Sequence, residues 1–215
     1  MGRQDDIRSD QQDGRSRRAE RLRRERRESV ARAARTVFAA RGYHATRVSD
    51  LIASAGIARG TFYLYFGSKR AVFDILLDDF FALLAGEVRP VDVTPGAVRP
   101  AEQLERIVER VLGVLASNKD LVAIVLREAV GLDADFDRKL RDFYGRLLAV
   151  VSHALETGQR MGIIRPVDTM PTSHCILGSV KEIALLIVDH EAELDTRALT
   201  RALVDFNVLG LFLAR

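Results

Sequence analysis

An all-α chain is predicted, and three features of its 215 residues predict it. From residue 28 onward, apolar residues recur at i, i+3, i+4 and i+7, the repeat of one helical face. No segment alternates apolar and polar residues with the period of two that a half-buried strand requires. Glycine and proline gather where the helical stripes break and are scarce inside them.

The elements follow in order. Residues 1–15 are polar, carry four Asp and lack an apolar cluster, so no order is expected there. Between Arg15 and Arg27 eight of thirteen residues are Arg, and Leu22 is the only large apolar one. Pairs such as Glu20–Arg24 have i,i+4 spacing and leave a helical lead-in open. Residues 1–27 as a whole are expected to form a disordered, mobile basic arm. Val30, Ala33, Ala34, Val37 and Phe38 then define a first helix that Gly42 ends. Val48, Leu51, Ile52 and Ala55 define a second, stopped by Gly56. Ile57, Phe62 and Phe66 define a third. Ser68 is placed to cap a fourth, which carries Phe73, Leu76, Leu77, Phe80 and Leu84. Three prolines and two glycines over 86–100 predict a loop or break. Helical stripes resume at Leu104–Leu115, at about 119–130, from Phe136 to Leu155, at about 169–190 and at about 195–213.

Composition narrows the function classes. Hydrophobic residues make up 47% of the chain, enough for a buried core. There is no run of 18 or more apolar residues and no signal-peptide stretch at the arginine-rich start, so a cytoplasmic protein with no membrane partner is expected. The single cysteine, Cys175, excludes an internal disulfide framework and a multi-cysteine zinc site. The formal charge of +3 is unevenly spread. Residues 1–70 hold 17 Lys and Arg against 8 Asp and Glu, whereas the rest holds 16 against 22. Such a split points to a polyanion at one end, nucleic acid first and an anionic membrane surface second. The arm lacks the apolar face of a membrane-binding helix, which disfavours the second.

Residues 46–66 carry the functional signal. A short helix, a turn at Ala55-Gly56-Ile57 and another short helix make a helix-turn-helix. Val48, Leu51, Ile52, Ile57, Phe62 and Phe66 form its small core and leave Arg59, Gly60, Thr61, Tyr63 and Leu64 pointing outward. Such a second helix fits the DNA major groove. Arg59 suits a bidentate contact to guanine and Thr61 a base or phosphate. Gly60 permits close backbone approach. Tyr63 and Tyr65 suit phosphate oxygens, and Arg47 either phosphate or base. Thr46, opening the first of the two helices, and Lys69, opening the fourth helix, are placed to meet phosphate. The plain alternative is that four neighbouring aromatics are simply core. Yet positions 62 and 66 share a face that 63 does not. The arginine arm reads either as a minor-groove contact or as non-specific charge attraction.

Gly42-Tyr43-His44-Ala45-Thr46, Asp50-Leu51-Ile52, Ala55-Gly56-Ile57 and Gly60-Thr61-Phe62-Tyr63-Leu64-Tyr65-Phe66-Gly67-Ser68-Lys69 together resemble the N-terminal domain of the tetracycline-repressor (TetR) family, over residues 28–77. In that family residues matching Thr46, Arg59, Thr61, Tyr63, Tyr65 and Lys69 face DNA. Two positions depart from the pattern. Ala58 stands where a serine is common, and Arg70-Ala71 where an acidic residue often follows the lysine.

The resemblance implies an N-terminal three-helix DNA-binding domain at 28–70 and a larger helical ligand-binding and dimerisation domain at 71–215. By analogy the pocket lining includes Leu84, Ile107, Val111, Phe143, Leu147, His174 and Gly178, although apolar residues at this spacing also read as ordinary core. The last two helices are apolar on more than one side, which calls for burial on more than one side. Val180, Ile183, Ile187, Leu203, Phe206 and Leu209 are therefore expected at a dimer interface, unless both helices sit deep in one subunit. His174 and Cys175 fall on different sides of a helix, and His44, His153 and His190 are scattered, so no metal site is expected.

The reading is of a ligand-responsive regulator, in the family's common mode a repressor. It binds palindromic operator DNA as a homodimer and is released by a small hydrophobic or amphipathic effector. A regulator without an effector is the alternative. A small helical enzyme is a distant one: no catalytic motif and no cofactor site is legible.

Overall fold

The computed structural model describes residues 3–128, 133–190 and 194–209. Every element among them is helical: α1 (Arg3–Ala45), α2 (Val48–Ala55), α3 (Arg59–Tyr65), α4 (Lys69–Glu87), α5 (Pro100–Ser117), α6 (Lys119–Ala123), α7 (Ala134–Arg160), α8 (Thr169–Asp189) and α9 (Thr196–Leu209). A π-helical turn, Ile124–Glu128, continues α6. The chain divides into two compact units, Met1–Asp78 and Asp79–Arg215. The division falls inside α4 rather than at residue 70, because Val72, Phe73, Leu76 and Leu77 of its first turns are buried as part of the first unit's core.

In the first unit α1 packs on α2, and α2 on α3. Val30, Ala34, Phe38, Leu51, Phe62, Phe66 and Phe73 are among its buried residues. The Phe38 ring stacks on Tyr43 at 5.6 Å and meets Phe73 edge-on at 5.5 Å. The helical stripe read from Val30 to Phe38 is thus the inner face of α1. Gly42 breaks that helix with φ 74°, a left-handed value that favours glycine. One further turn follows, to Ala45.

The amino-terminal segment departs from expectation. Helix extends back to Arg3, through residues expected to be irregular. Ion pairs at i,i+4 spacing, Arg21–Glu25 at 2.8 Å and Arg24–Glu28 at 3.6 Å, support it without a core. Arginine, alanine and glutamate are also good helix formers.

In the second unit α5 lies against α9, and α8 contacts α5, α6, α7 and α9. The predicted break between α4 and α5 is a turn held from within: Gln103 Nε2 donates to the Asp92 carbonyl at 2.7 Å, and Asp92 N–H donates back to Gln103 Oε1 at 2.8 Å. The starts of α7, α8 and α9 coincide with capping aspartates. Asp133 accepts from Phe136 N–H, Asp168 from Met170 N–H, and Asp195 from Arg197 N–H. By length and apolar content α8 is the one described helix that suffices to cross a membrane. Here it packs on α7, where the Ser152 and Ser173 hydroxyls lie 3.0 Å apart.

Candidate nucleic-acid interface and effector cavity

The short helix pair is built from local signals. Arg47 is extended (φ −102°, ψ 157°) and precedes α2. Its N–H donates to Asp50 Oδ2 at 2.8 Å, and Asp50 Oδ1 pairs with Arg41 Nη1 at 2.9 Å. The Arg47 N–H first, and the Arg41 guanidinium after it, hold the Asp50 carboxyl below its ordinary 3.8. Sequence reading missed this cap, although an acid three residues into a helix start was its signal. Gly56 closes α2 in the left-handed region (φ 62°, ψ 34°), and Ile57 N–H donates to the Ile52 carbonyl across the turn. Ala58 precedes α3 and provides no side-chain cap.

Phe62 and Phe66 face inward, their rings 5.6 Å apart and both buried. On the outer side Arg59 and Gly60 are exposed, Tyr63 is 48% exposed and Leu64 is 73% exposed. Thr61 and Tyr65 are half-buried at the flanks. The Arg59 guanidinium carbon lies 5.8 Å from the Tyr63 ring centre, so the two form one outward pair at i,i+4 spacing. A Cβ on Gly60 would meet nothing within 4 Å, so no packing inside the chain requires glycine there. Leu64, noted in the sequence only as outward-facing, is the most exposed apolar side chain of this helix. Arg47 is also exposed.

Two expected phosphate ligands are otherwise engaged. Thr46 is 2% exposed, and its hydroxyl donates to the Gly42 carbonyl at 2.7 Å, tying down the turn that Gly42 creates. It does not open α2, which starts at Val48. Lys69 turns its ammonium inward, where it donates to the carbonyls of Tyr43 at 2.7 Å, Thr46 at 2.8 Å and His44 at 3.3 Å. The nitrogen also sits 4.3 Å from the Tyr43 ring centre. An ammonium has three protons to donate, and the carbonyls left at the end of α1 take all three. Burial lowers the Lys69 pKa from its ordinary 10.5. Lys69 is thus a clamp between α1 and α4. Ser68 does cap α4, accepting from Ala71 N–H at 3.1 Å, and the basic Arg70 pairs with Asp74 at 3.0 Å.

The second unit encloses a cavity of about 690 Å³. Leu84, Ile107, Val111, Phe143 and Leu147 line it, as expected from the sequence. His174 and Gly178 do not, because they lie on the opposite, exposed side of α8. The side of α8 that faces the cavity is Ile176, Leu177, Val180, Lys181 and Ala184. Phe81 and Phe143 stack at 4.1 Å beside it. Burial raises the Tyr144 phenol above its ordinary 10.0.

The residues assigned to a dimer face separate in the same way. Val180 and Leu203 line the cavity, Ile187 and Leu203 are buried within the chain, and Ile183 is half-buried. Phe206 is 76% exposed. The Leu209 side chain lies outside the described residues. The exposed sides are Cys175, Gly178 and Glu182 on α8 and Ala198, Ala202 and Phe206 on α9. Each helix was apolar on two sides, and the sequence did not say which side the cavity takes.

Residues 31–76 match the model of bacterial regulatory proteins of the tetR family, and residues 97–185 that of a tetracyclin repressor-like C-terminal domain. The fatty acid metabolism regulator protein of Bacillus subtilis is 26% identical over 182 residues, 83% of this chain and 92% of its own. A TetR-like transcriptional regulator from Rhodococcus sp. RHA1 superposes with a TM-score of 0.66 at 25% identity, covering 86% of this chain and 94% of its own. The transcriptional regulator FadR from Bacillus subtilis, solved in complex with stearoyl-CoA, shares the fold at a TM-score of 0.69 and 23% identity, over 85% and 98%. These relatives are regulators of transcription, not enzymes. With both halves matched in order, the chain belongs to the TetR family of transcriptional regulators.

Proposed function

We propose that the protein is a repressor that binds palindromic operator DNA as a homodimer in the cytoplasm and is released by an apolar or amphipathic effector held in the second unit. The observation that carries the DNA half is the outward Arg59–Tyr63 pair on a short helix whose other side, Phe62 and Phe66, is locked in core. Such a helix enters a major groove, with Arg59, Gly60 and Thr61 nearest the base edges and Tyr63 and Tyr65 nearest the backbone. Arg47 lies on the exposed flank for a phosphate or base.

Homodimerisation rests on the exposed sides of α8 and α9. Phe206 is a large apolar side chain in water, and Gly178 lets a facing helix approach closely. The effector half is supported by the apolar cavity and by two similar proteins, one a fatty acid metabolism regulator and one a fold neighbour holding stearoyl-CoA.

A gel shift tests this. DNA flanking the gene is titrated with protein at rising salt, beside a scrambled duplex of the same length. A complex confined to the flanking DNA, with affinity falling steeply as salt rises, is expected. Equal affinity for both duplexes contradicts operator recognition.

A further inference from the structure

The outward side of α3 carries three stripes, because residues four apart lie one above the other on a helix. Arg59 and Tyr63 form one flank, with the guanidinium over the ring. Thr61 and Tyr65, both half-buried, form the other. Gly60 and Leu64 run between them. Leu64 stands two residues, about 160° of helix rotation, from the fully buried Phe62 and so lies nearly opposite the core. At 73% it is more exposed than Tyr63 at 48%. Gly60 has no side chain and a Cβ there would meet nothing within 4 Å, so Leu64 alone furnishes the middle stripe.

A single exposed leucine is common on a protein surface. On a helix that enters a major groove it has a chemical consequence, because entry removes its water. Leu64 has no side-chain donor or acceptor, so against polar base-edge groups it would displace their water and return no hydrogen bond. The one apolar group that the base pairs present in the major groove is the C5-methyl of thymine. We infer that Leu64 is a specificity-determining residue that packs on a thymine C5-methyl, at a base pair other than the one Arg59 contacts. Gly60, one turn earlier on the same stripe, leaves room for that approach. This deepens the DNA half of the proposed function by assigning α3 a second base, and it rests on that half.

The test uses the full-length protein and the duplex it enriches from a random library. Each thymine is replaced in turn by deoxyuridine, which lacks only the C5-methyl and keeps every hydrogen-bonding group. Wild-type affinity should fall about fourfold when the methyl is removed from one half-site and about fifteenfold when it is removed from both, the loss of one buried methyl each time. Leu64→Ala should bind the thymine and deoxyuridine duplexes equally at that position, while still discriminating at the pair Arg59 contacts. Leu64→Met, which keeps an apolar side chain, should retain the difference. A merely structural defect in Leu64→Ala would weaken both duplexes alike and leave their ratio unchanged, which overturns the assignment. So does a wild-type protein that is indifferent to every thymine methyl while it still prefers its operator; in that case operator recognition stands without Leu64. If no duplex is enriched at all, operator recognition fails and the assignment fails with it.

Discussion

Arg59 and Lys69 are cations at the start of α3 and of α4, and the structure places them oppositely, one outward and one inward. Arg59 is exposed on the outer side of α3. Replacing it with Ala should cost about 1–3 kcal/mol of operator affinity and relax preference at one base pair, measured by titration against single-base operator variants. Lys69 spends its protons on three carbonyls. Lys69→Met should lower the unfolding free energy by about 1–2 kcal/mol, read from urea denaturation. The slope of log affinity against log salt should stay unchanged. A lysine that neutralised a phosphate would shift that slope by about 0.9. Asp50 gives a pH signature. Its folded pKa lies below the ordinary 3.8, so the stability it contributes is fully present above that value and disappears as pH falls through the folded pKa. Asp50→Asn should therefore flatten the acid limb of the stability–pH curve below about pH 4.

The recognition helix is short and weakly specified on its own terms. α3 lacks a capping side chain at Ala58 and carries Gly60 in its first turn. Gly60→Ala should strengthen the helix by up to about 1 kcal/mol in thermal unfolding. On the proposed reading the same change should weaken operator binding, because the added methyl group would meet nothing inside the chain and would face the duplex. Stability and affinity moving in opposite directions would mark the position as functional.

Element by element, the sequence was readable where one face of a helix had one task. Phe62 and Phe66 against Tyr63 were legible from spacing alone, and Gly42 and Gly56 marked real left-handed turns. The intrachain engagement of Thr46 and Lys69 was not legible, because residue type suggests a phosphate ligand, while the carbonyls that accept from them come from a turn 4 to 26 residues away in sequence. In α8 the same residues lie near two apolar environments, and periodicity does not tell a cavity wall from a subunit interface. Val180, expected at an interface, lines the cavity, and His174, expected at the cavity, is exposed.

At the scale of the molecule, repression requires that effector and operator oppose one another. Phe80, Phe81 and Leu84, on the last turns of α4, line the cavity. An effector that weakens operator binding by some factor must itself be bound more weakly, by the same factor, when operator is present. Effector titrations with and without operator should show that equality. The proposed homodimer would bring two α3 helices to major grooves about 34–36 Å apart. Phe206→Glu should place a charge on the exposed side of α9, shift the protein to monomer in sedimentation and abolish high-affinity operator binding.

The most direct test of the central claim, that α3 reads base edges through Arg59, is selection of binding sites from a random duplex library by the intact protein and by Arg59→Ala. The wild-type protein should enrich one palindromic sequence, and Arg59→Ala should lose preference at one symmetric pair of positions within it. Enrichment of no sequence, or of the same sequence with undiminished preference by both proteins, would contradict the account.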